Sequence, residues 1–277
     1  MMTIREYRQV ESLEEAWQLN QKKSNRVIGG MLWLKMGHGR VGTAIDLSGL
    51  GLDQIEEKED RFEIGAMVTL RELEQHEGLD SYTQGALRES LRHIVGVQFR
   101  NLATVGGSIF GRFGFSDVLT MFLAMKTEVE LYKGGMVPLD VFAREGAGRD
   151  LLVRLIVYKE QADFCYQSVR NTKTDFPVLT CAAAREKSGA YRMAIGARPE
   201  RAVLMDLSFM RQDCLDEEVE SEREEKKKQL AKVISECVKE QVKTKGNLRG
   251  SAEYRRHLAG VLARRAVEKL ENRTEAE

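Results

Sequence analysis

Short strand-like runs and capped helices succeed one another along this chain with no regular alternation of long strand and long helix. That order argues for an α+β fold over a doubly wound parallel sheet. Strand patterns fall at Arg26–Gly30, Thr43–Leu47, Arg61–Ala66, Glu128–Tyr132 and Leu151–Val157. Three more at Asp163–Val169, Val178–Ala184 and Tyr191–Gly196 follow directly on one another, the arrangement of a small antiparallel sheet. Ser12 with Glu15, Thr69 with Glu72 and Ser221 with Glu224 form capping boxes that open helices, the first running to about Lys23. Helical patterns also cover Gln84–Val95, Asp117–Met125 and the stretch from Ser251, where Tyr254, Leu258, Val261, Leu262 and Leu270 make an apolar stripe; Asn272–Glu277 is expected to fray.

With 277 residues, 42% of them hydrophobic, the chain can bury one large or two modest cores. The breaker Gly146–Asp150 and the change of pattern after it place a domain boundary near residue 160, dividing 1–160 from 161–277. Lys+Arg and Asp+Glu both number 43, so no global field favours nucleic acid or an anionic membrane. Met1–Gln9 is charged and nowhere do eighteen apolar residues run together, so neither signal peptide nor membrane span is read and a cytoplasmic location is expected. Cys165, Cys181, Cys214 and Cys237 lack any CxxC spacing, and His38, His76, His93 and His257 fall at no metal-ligand interval. No protein-bound metal and no catalytic triad is expected.

Gly37-His-Gly-Arg-Val-Gly42 satisfies the GxGxxG pattern of dinucleotide-binding loops, but an extended run follows it where that motif needs a helix. An ordinary flexible connection is the favoured reading. More informative are two double-glycine loops, Val27-Ile-Gly-Gly-Met31 and Thr104-Val-Gly-Gly-Ser108. Each is either a tight turn or a set of backbone amides, bare of side chains, that a diphosphate can approach closely. Asp117, at the head of a helical run, is either its N-cap or a carboxylate accepting hydrogen bonds from ligand hydroxyls.

Arg26-Val-Ile-Gly-Gly30, Phe62–Leu70, Arg100-Asn-Leu-Ala-Thr-Val-Gly-Gly107 and Ser116-Asp117, with Ile195-Gly-Ala-Arg-Pro199 and Arg249–Arg256 further on, occur here in one order. Together they resemble the FAD-binding medium subunit of the molybdenum hydroxylases, the xanthine and carbon monoxide dehydrogenase type, over essentially the whole chain. The resemblance implies a bipartite FAD-binding domain of the vanillyl-alcohol-oxidase (PCMH) type, followed by a small antiparallel sheet with helices like the C-terminal domain of the carbon monoxide dehydrogenase flavoprotein. It implies that Ile28, Gly29, Gly30, Met31 and Leu32 form one wall of the diphosphate site and Thr104, Gly106, Gly107 and Ser108 the other. Asp117 is implied to contact the flavin's sugar-like chain, with Ile94 and Leu151 at apolar flavin positions. No residue of this chain is implied to be catalytic. Partners would be a molybdopterin-binding large subunit and a 2Fe-2S small subunit, and NAD the acceptor. Met31 and Leu32 stand where the family has a hydroxyl and a carboxylate, and Ser108 replaces an asparagine. Those departures motivate the rival reading, a scaffold subunit without FAD; a stand-alone flavin oxidoreductase is the other.

Overall fold

The computed structural model describes residues 2–207 and 220–273, excluding the side chains of 220–224. Cys214, the capping box of Ser221 with Glu224, and the end beyond Arg273 therefore lie outside the described residues. The chain divides into two compact units, one of Met1–Gly78, Val95–Arg112 and Thr127–Lys159, the other of Leu79–Ile94, Phe113–Lys126 and Glu160–Glu277. A single cut near residue 160 does not reproduce this division, because two upstream segments pack with the C-terminal part. Helix Asp117–Ala124 shows why: all eight of its residues are buried, so it must be covered on every side.

The first unit holds two sheets. Strands β1 (Met2–Gln9), β2 (Arg26–Ile28) and β3 (Gly39–Asp46) form a parallel sheet in the order β1-β3-β2. The GxGxxG segment is thus no flexible connection: its last four residues open β3, with Gly39 opposite Met2 and Val41 opposite Ile4. β1 has no apolar run to mark it, since nearly all of it is exposed. It is held instead by cross-strand polar pairs such as Thr43 Oγ1 donating to Glu6 at 3.0 Å. Between β1 and β2, helix Leu13–Asn20 starts as its capping pattern predicts, Ser12 accepting from the Glu15 N–H at 3.2 Å. β4 (Ile55–Glu57), β5 (Arg61–Gly65), β6 (Thr127–Leu131), β7 (Gly135–Pro138) and β8 (Leu152–Tyr158) make a second, antiparallel sheet in the order β4-β5-β8-β6-β7. Val10, Ala16, Ile45, Leu47, Leu52, Leu151 and Val153 form one apolar core of this unit.

The second unit is built on β9 (Ala162–Arg170), β10 (Pro177–Glu186), β11 (Tyr191–Gly196) and β12 (Val203–Met205), antiparallel in the order β12-β11-β10-β9. Leu179, Cys181 and Ala183 pack with Ile234, Val238, Leu262 and Ala266 of helices Glu220–Gln241 and Ala252–Arg273. The alternate residues of β10 point the other way. There Thr180 and Thr120 bring their hydroxyls to 3.1 Å, seating helix Asp117–Ala124 on the opposite face. Gly196 is needed for that approach, because a Cβ on it would lie 2.0 Å from Thr120 Oγ1. Of the predicted stripe on the last helix, Leu258, Leu262 and Leu270 are buried, whereas Tyr254 is 47% exposed, one turn outside the packed length. The predicted helix 84–95 is shorter, Ala86–Leu91, since Gln84 and Gly85 have left-handed φ values of 46° and 82°. Among the described residues no helix is long and apolar enough to cross a membrane.

Candidate cofactor site

In the first unit the two double-glycine segments meet. Ile28, buried, ends β2; Gly29 and Gly30 follow, and Met31 turns the chain with a left-handed φ of 57° before the half-buried Leu32. A Cβ on Gly29 would lie 2.6 Å from Thr104 Oγ1, and one on Gly30 only 1.7 Å from the Leu102 carbonyl oxygen. Glycine is required at 30 so that the backbones can touch. Gly30→Ala should therefore lower stability by about 1–3 kcal/mol through overpacking against a backbone that has to move, read as a shifted urea midpoint; an unchanged midpoint would mean the loops are not in contact.

The second segment is no loop. Residues Val105–Phe110 form a helix whose N-cap is Thr104, its hydroxyl accepting from the Gly107 N–H at 3.1 Å. Val105 donates to Val68 O and Gly106 to Ala66 O, both at 2.8 Å, while the Ser108 hydroxyl donates to Thr104 O at 3.0 Å. Its first-turn amides are thus already used. Thr69 and Thr104 bridge as antiparallel partners, Leu70 donates to Ala103 O at 2.7 Å, and the Thr69–Glu72 capping box starts helix Leu70–Gln75 beside them. A buried cluster pins this region: Arg100 Nε lies 2.9 Å and Arg71 2.7 Å from Glu74 Oε2. Burial alone would raise the Glu74 carboxyl, but Arg71 and Arg100 hold it below the usual range. Arg100 lies in the Arg-Asn-Leu-Ala-Thr-Val-Gly-Gly motif, yet only the fold assigns it this anchoring role.

Two features leave room for a ligand. No hydrogen bond runs from the N–H groups of Gly30, Met31 or Leu32 to another described residue. Gly107 is exposed, helical and without a positive φ, and a Cβ on it would meet only Thr104 Oγ1 at 3.1 Å. Within the fold only this one side-chain hydroxyl opposes a Cβ there, and an exposed helical glycine is about 0.5–1 kcal/mol worse than alanine. A glycine at this exposed position also admits close approach of an external group. The segments thus fit a diphosphate chiefly through the amides of 30–32 and the bare surface at 107.

The other predicted positions are divided between the two units. Leu151 is 2% exposed within the core of the first unit. Ile94, half-buried, and Asp117 belong to the second unit. Asp117 is not the N-cap of its helix: Ser116 is, accepting from the Leu119 N–H at 3.0 Å. Asp117 is instead 4% exposed, its Oδ1 accepting from both the Tyr166 hydroxyl and the Arg170 guanidinium. Burial pushes its carboxyl up to about 6 against the opposing pull of Arg170 and Tyr166. Burial likewise drives the Tyr166 phenol well above its ordinary value. Neither partner was legible in sequence, because both come from β9, some fifty residues downstream.

The architecture is that of a mixed α+β protein with two apposed glycine segments in its first unit. Residues 2–157 match the family described as the FAD binding domain in molybdopterin dehydrogenase, more than half of the chain, and the chain belongs to that family. Protein YgfM of Escherichia coli (strain K12) is 23% identical over 270 residues, 94% of this chain and 93% of YgfM. A carbon monoxide dehydrogenase chain from Hydrogenophaga pseudoflava is 21% identical with a TM-score of 0.83, covering 97% of each chain. A quinoline 2-oxidoreductase chain from Pseudomonas putida 86 is 20% identical with a TM-score of 0.78, covering 96% of each. At these identities the solved structures establish the fold.

Proposed function

We propose that this chain is the FAD-binding electron-transfer subunit of a heteromeric molybdopterin-dependent dehydrogenase. It would pass electrons from 2Fe-2S clusters on a small subunit to an acceptor such as NAD, with substrate chemistry on a molybdopterin-binding large subunit. The observation that carries the reading is the apposition of 28–32 with 102–108, where the exposed Gly107 is opposed only by the Thr104 hydroxyl of its own N-cap. Gly30, Met31 and Leu32 would hold the diphosphate by their backbone N–H groups, the Thr104 hydroxyl standing beside them. Such backbone donors are indifferent to the side-chain changes at 31 and 32. Bound there, FAD would supply the exchange between one-electron and two-electron chemistry. The protein's part is to bind and orient, so no acid–base pair is needed in this chain. Whether the complex acts on xanthine, carbon monoxide or an aromatic ring would be set by the large subunit, and a cytoplasmic setting suits the reading.

The test is the visible absorption spectrum of the purified chain after FAD addition and gel filtration, on wild type and Gly107→Val. Wild type should retain flavin bands, and Gly107→Val should bind FAD at least about tenfold more weakly, about 1.4 kcal/mol, with its thermal transition preserved. A folded wild-type chain that takes up no flavin would favour the scaffold reading. Equal affinity in the variant would overturn the assignment of Gly107.

A further inference from the structure

The second unit contains a cavity of about 600 Å³ lined wholly by its own residues. Its floor is the free edge of β9, which pairs with β10 alone. Phe164 shows which way that edge faces: its N–H donates to Gln84 Oε1 and its carbonyl accepts from Arg273, both at 2.9 Å and both away from β10. The strand period of two gives the backbone of Tyr166 and Ser168 the same outward direction, and no hydrogen bond links these backbone groups to a residue outside the strand ladder among those described. A row of unpaired main-chain N–H and C=O groups therefore lines the cavity.

The walls are cationic. Arg265, Lys269 and Arg273 follow at intervals of four on helix Ala252–Arg273 and so share one face. Lys173 stands at the end of the floor. No carboxylate pairs with Lys173, Arg265 or Lys269 among the described residues, whereas Arg170 is committed to Asp117 and Arg273 donates one N–H to the Phe164 carbonyl. The single lining carboxylate, Glu89, already pairs with Arg92 at 3.1 Å. In a chain whose formal charge is +0, this is a local segregation of positive charge. His93, also in the lining, accepts at Nε2 from Arg92 Nε at 3.1 Å, which leaves the ring proton on Nδ1. That buried Nδ1 has no partner among the described residues. The unused donor of the wall and the unused edge amides of Tyr166 and Ser168 can both meet an acceptor.

We propose that this cavity binds a small organic phosphate bearing at least two negative charges, seated between the Arg265–Lys269–Arg273 face and Lys173, with oxygens on the edge amides of Tyr166 and Ser168. Phosphate is favoured because guanidinium forks and main-chain amides both match its several oxygens. Its nature as an effector or a second substrate would follow from which phosphate is held.

Inorganic pyrophosphate is the probe, titrated calorimetrically into the full chain saturated with FAD, at ionic strength held constant with sodium chloride. Saturable binding is expected in wild type, weakened tenfold or more in an Arg265→Glu, Lys269→Glu double variant. Both side chains are exposed, so the variant should keep its thermal transition and its FAD affinity. Gly107→Val should leave pyrophosphate binding unchanged, which separates this site from the glycine segments. No saturable binding in wild type, or equal binding in the double variant, would overturn the proposal; loss in Gly107→Val alone would move the phosphate site to the first unit.

Discussion

Replacing Arg255 with methionine is expected to destabilise the second unit by about 3–5 kcal/mol, at the top of the range for a single substitution. Arg255 is 1% exposed, and no carboxylate pairs with it among the described residues. Its guanidinium serves main-chain oxygen instead: it donates to Val178 O at 2.8 Å, Lys245 O at 3.0 Å and Gly250 O at 2.5 Å, and to Asn247 Oδ1 at 2.6 Å. Burial, assisted by nearby Arg249, pulls the guanidinium below its ordinary value, though it stays charged. Methionine would fill much of the volume while taking the guanidinium from all four acceptors; Gly250 O and Asn247 Oδ1 keep the Asn247 and Arg249 N–H groups, so the loss falls on Val178 O and Lys245 O, each worth about 1–3 kcal/mol before relaxation. The midpoint should fall by roughly 6–20 °C, followed by far-UV circular dichroism. Arg255→Lys should recover less than half, since one ammonium cannot span four acceptors set around a planar fork. A fall of a degree or two in the methionine variant would mean that water satisfies those carbonyls.

Asp117→Ala should be comparably damaging, about 3–5 kcal/mol, because it strands a buried guanidinium at Arg170 and a buried phenol at Tyr166. Asp117→Asn keeps an acceptor for Tyr166 and should lose less. The pH dependence distinguishes charge from shape. The folded carboxyl is pushed up to about 6, above an unfolded value of about 4. The folded state therefore holds a proton that the unfolded chain has released, so this group's contribution is full below about pH 4 and declines as pH rises through about 6. Asn cannot titrate, and denaturant midpoints of Asp117→Asn should be flatter than wild type between pH 4 and 6. Identical slopes would show that Arg170 keeps the carboxylate ionised across that interval. FAD affinity measured on the same protein tells whether Asp117 also meets the cofactor, as the family resemblance implies.

The strands with alternating or continuous apolar residues were legible because side-chain period and burial coincide there: Arg61–Gly65 and Tyr191–Gly196 need only local pattern. The Thr69 capping box and the Ser12 N-cap were equally legible, since their partners lie within four residues, although Glu15 turns its carboxylate to the Glu11 N–H and leaves the Ser12 box half made. β1 was not, because a strand exposed along its length carries no hydrophobic signature and is specified by its partner β3. The second glycine segment reads as a loop because glycine opposes helix by propensity; strapping to Val68 and Ala66 outweighs that preference. The glycine pairs themselves stood out, but the reasons differ by position. Gly30 answers to the Leu102 carbonyl, Gly106 to Ala66, and Gly107 only to the hydroxyl of its own N-cap, Thr104. Sequence spacing cannot separate those cases, nor can it join Asp117 to Tyr166 and Arg170 or Glu74 to Arg100, because side-chain pairs far apart in sequence exist only once the fold does.

Two short pieces of the N-terminal half, Leu79–Ile94 and Phe113–Lys126, serve the C-terminal unit. During synthesis both leave the ribosome well before β10 and β11 exist to receive them. Helix Asp117–Ala124, with Val118, Leu119, Met121 and Phe122 all buried in the finished protein, must then wait with its apolar surface uncovered. A gene fragment ending near residue 160 would encode that surface without its cover, so the two units are inherited and made together, and recombination at that point would not yield an exchangeable module.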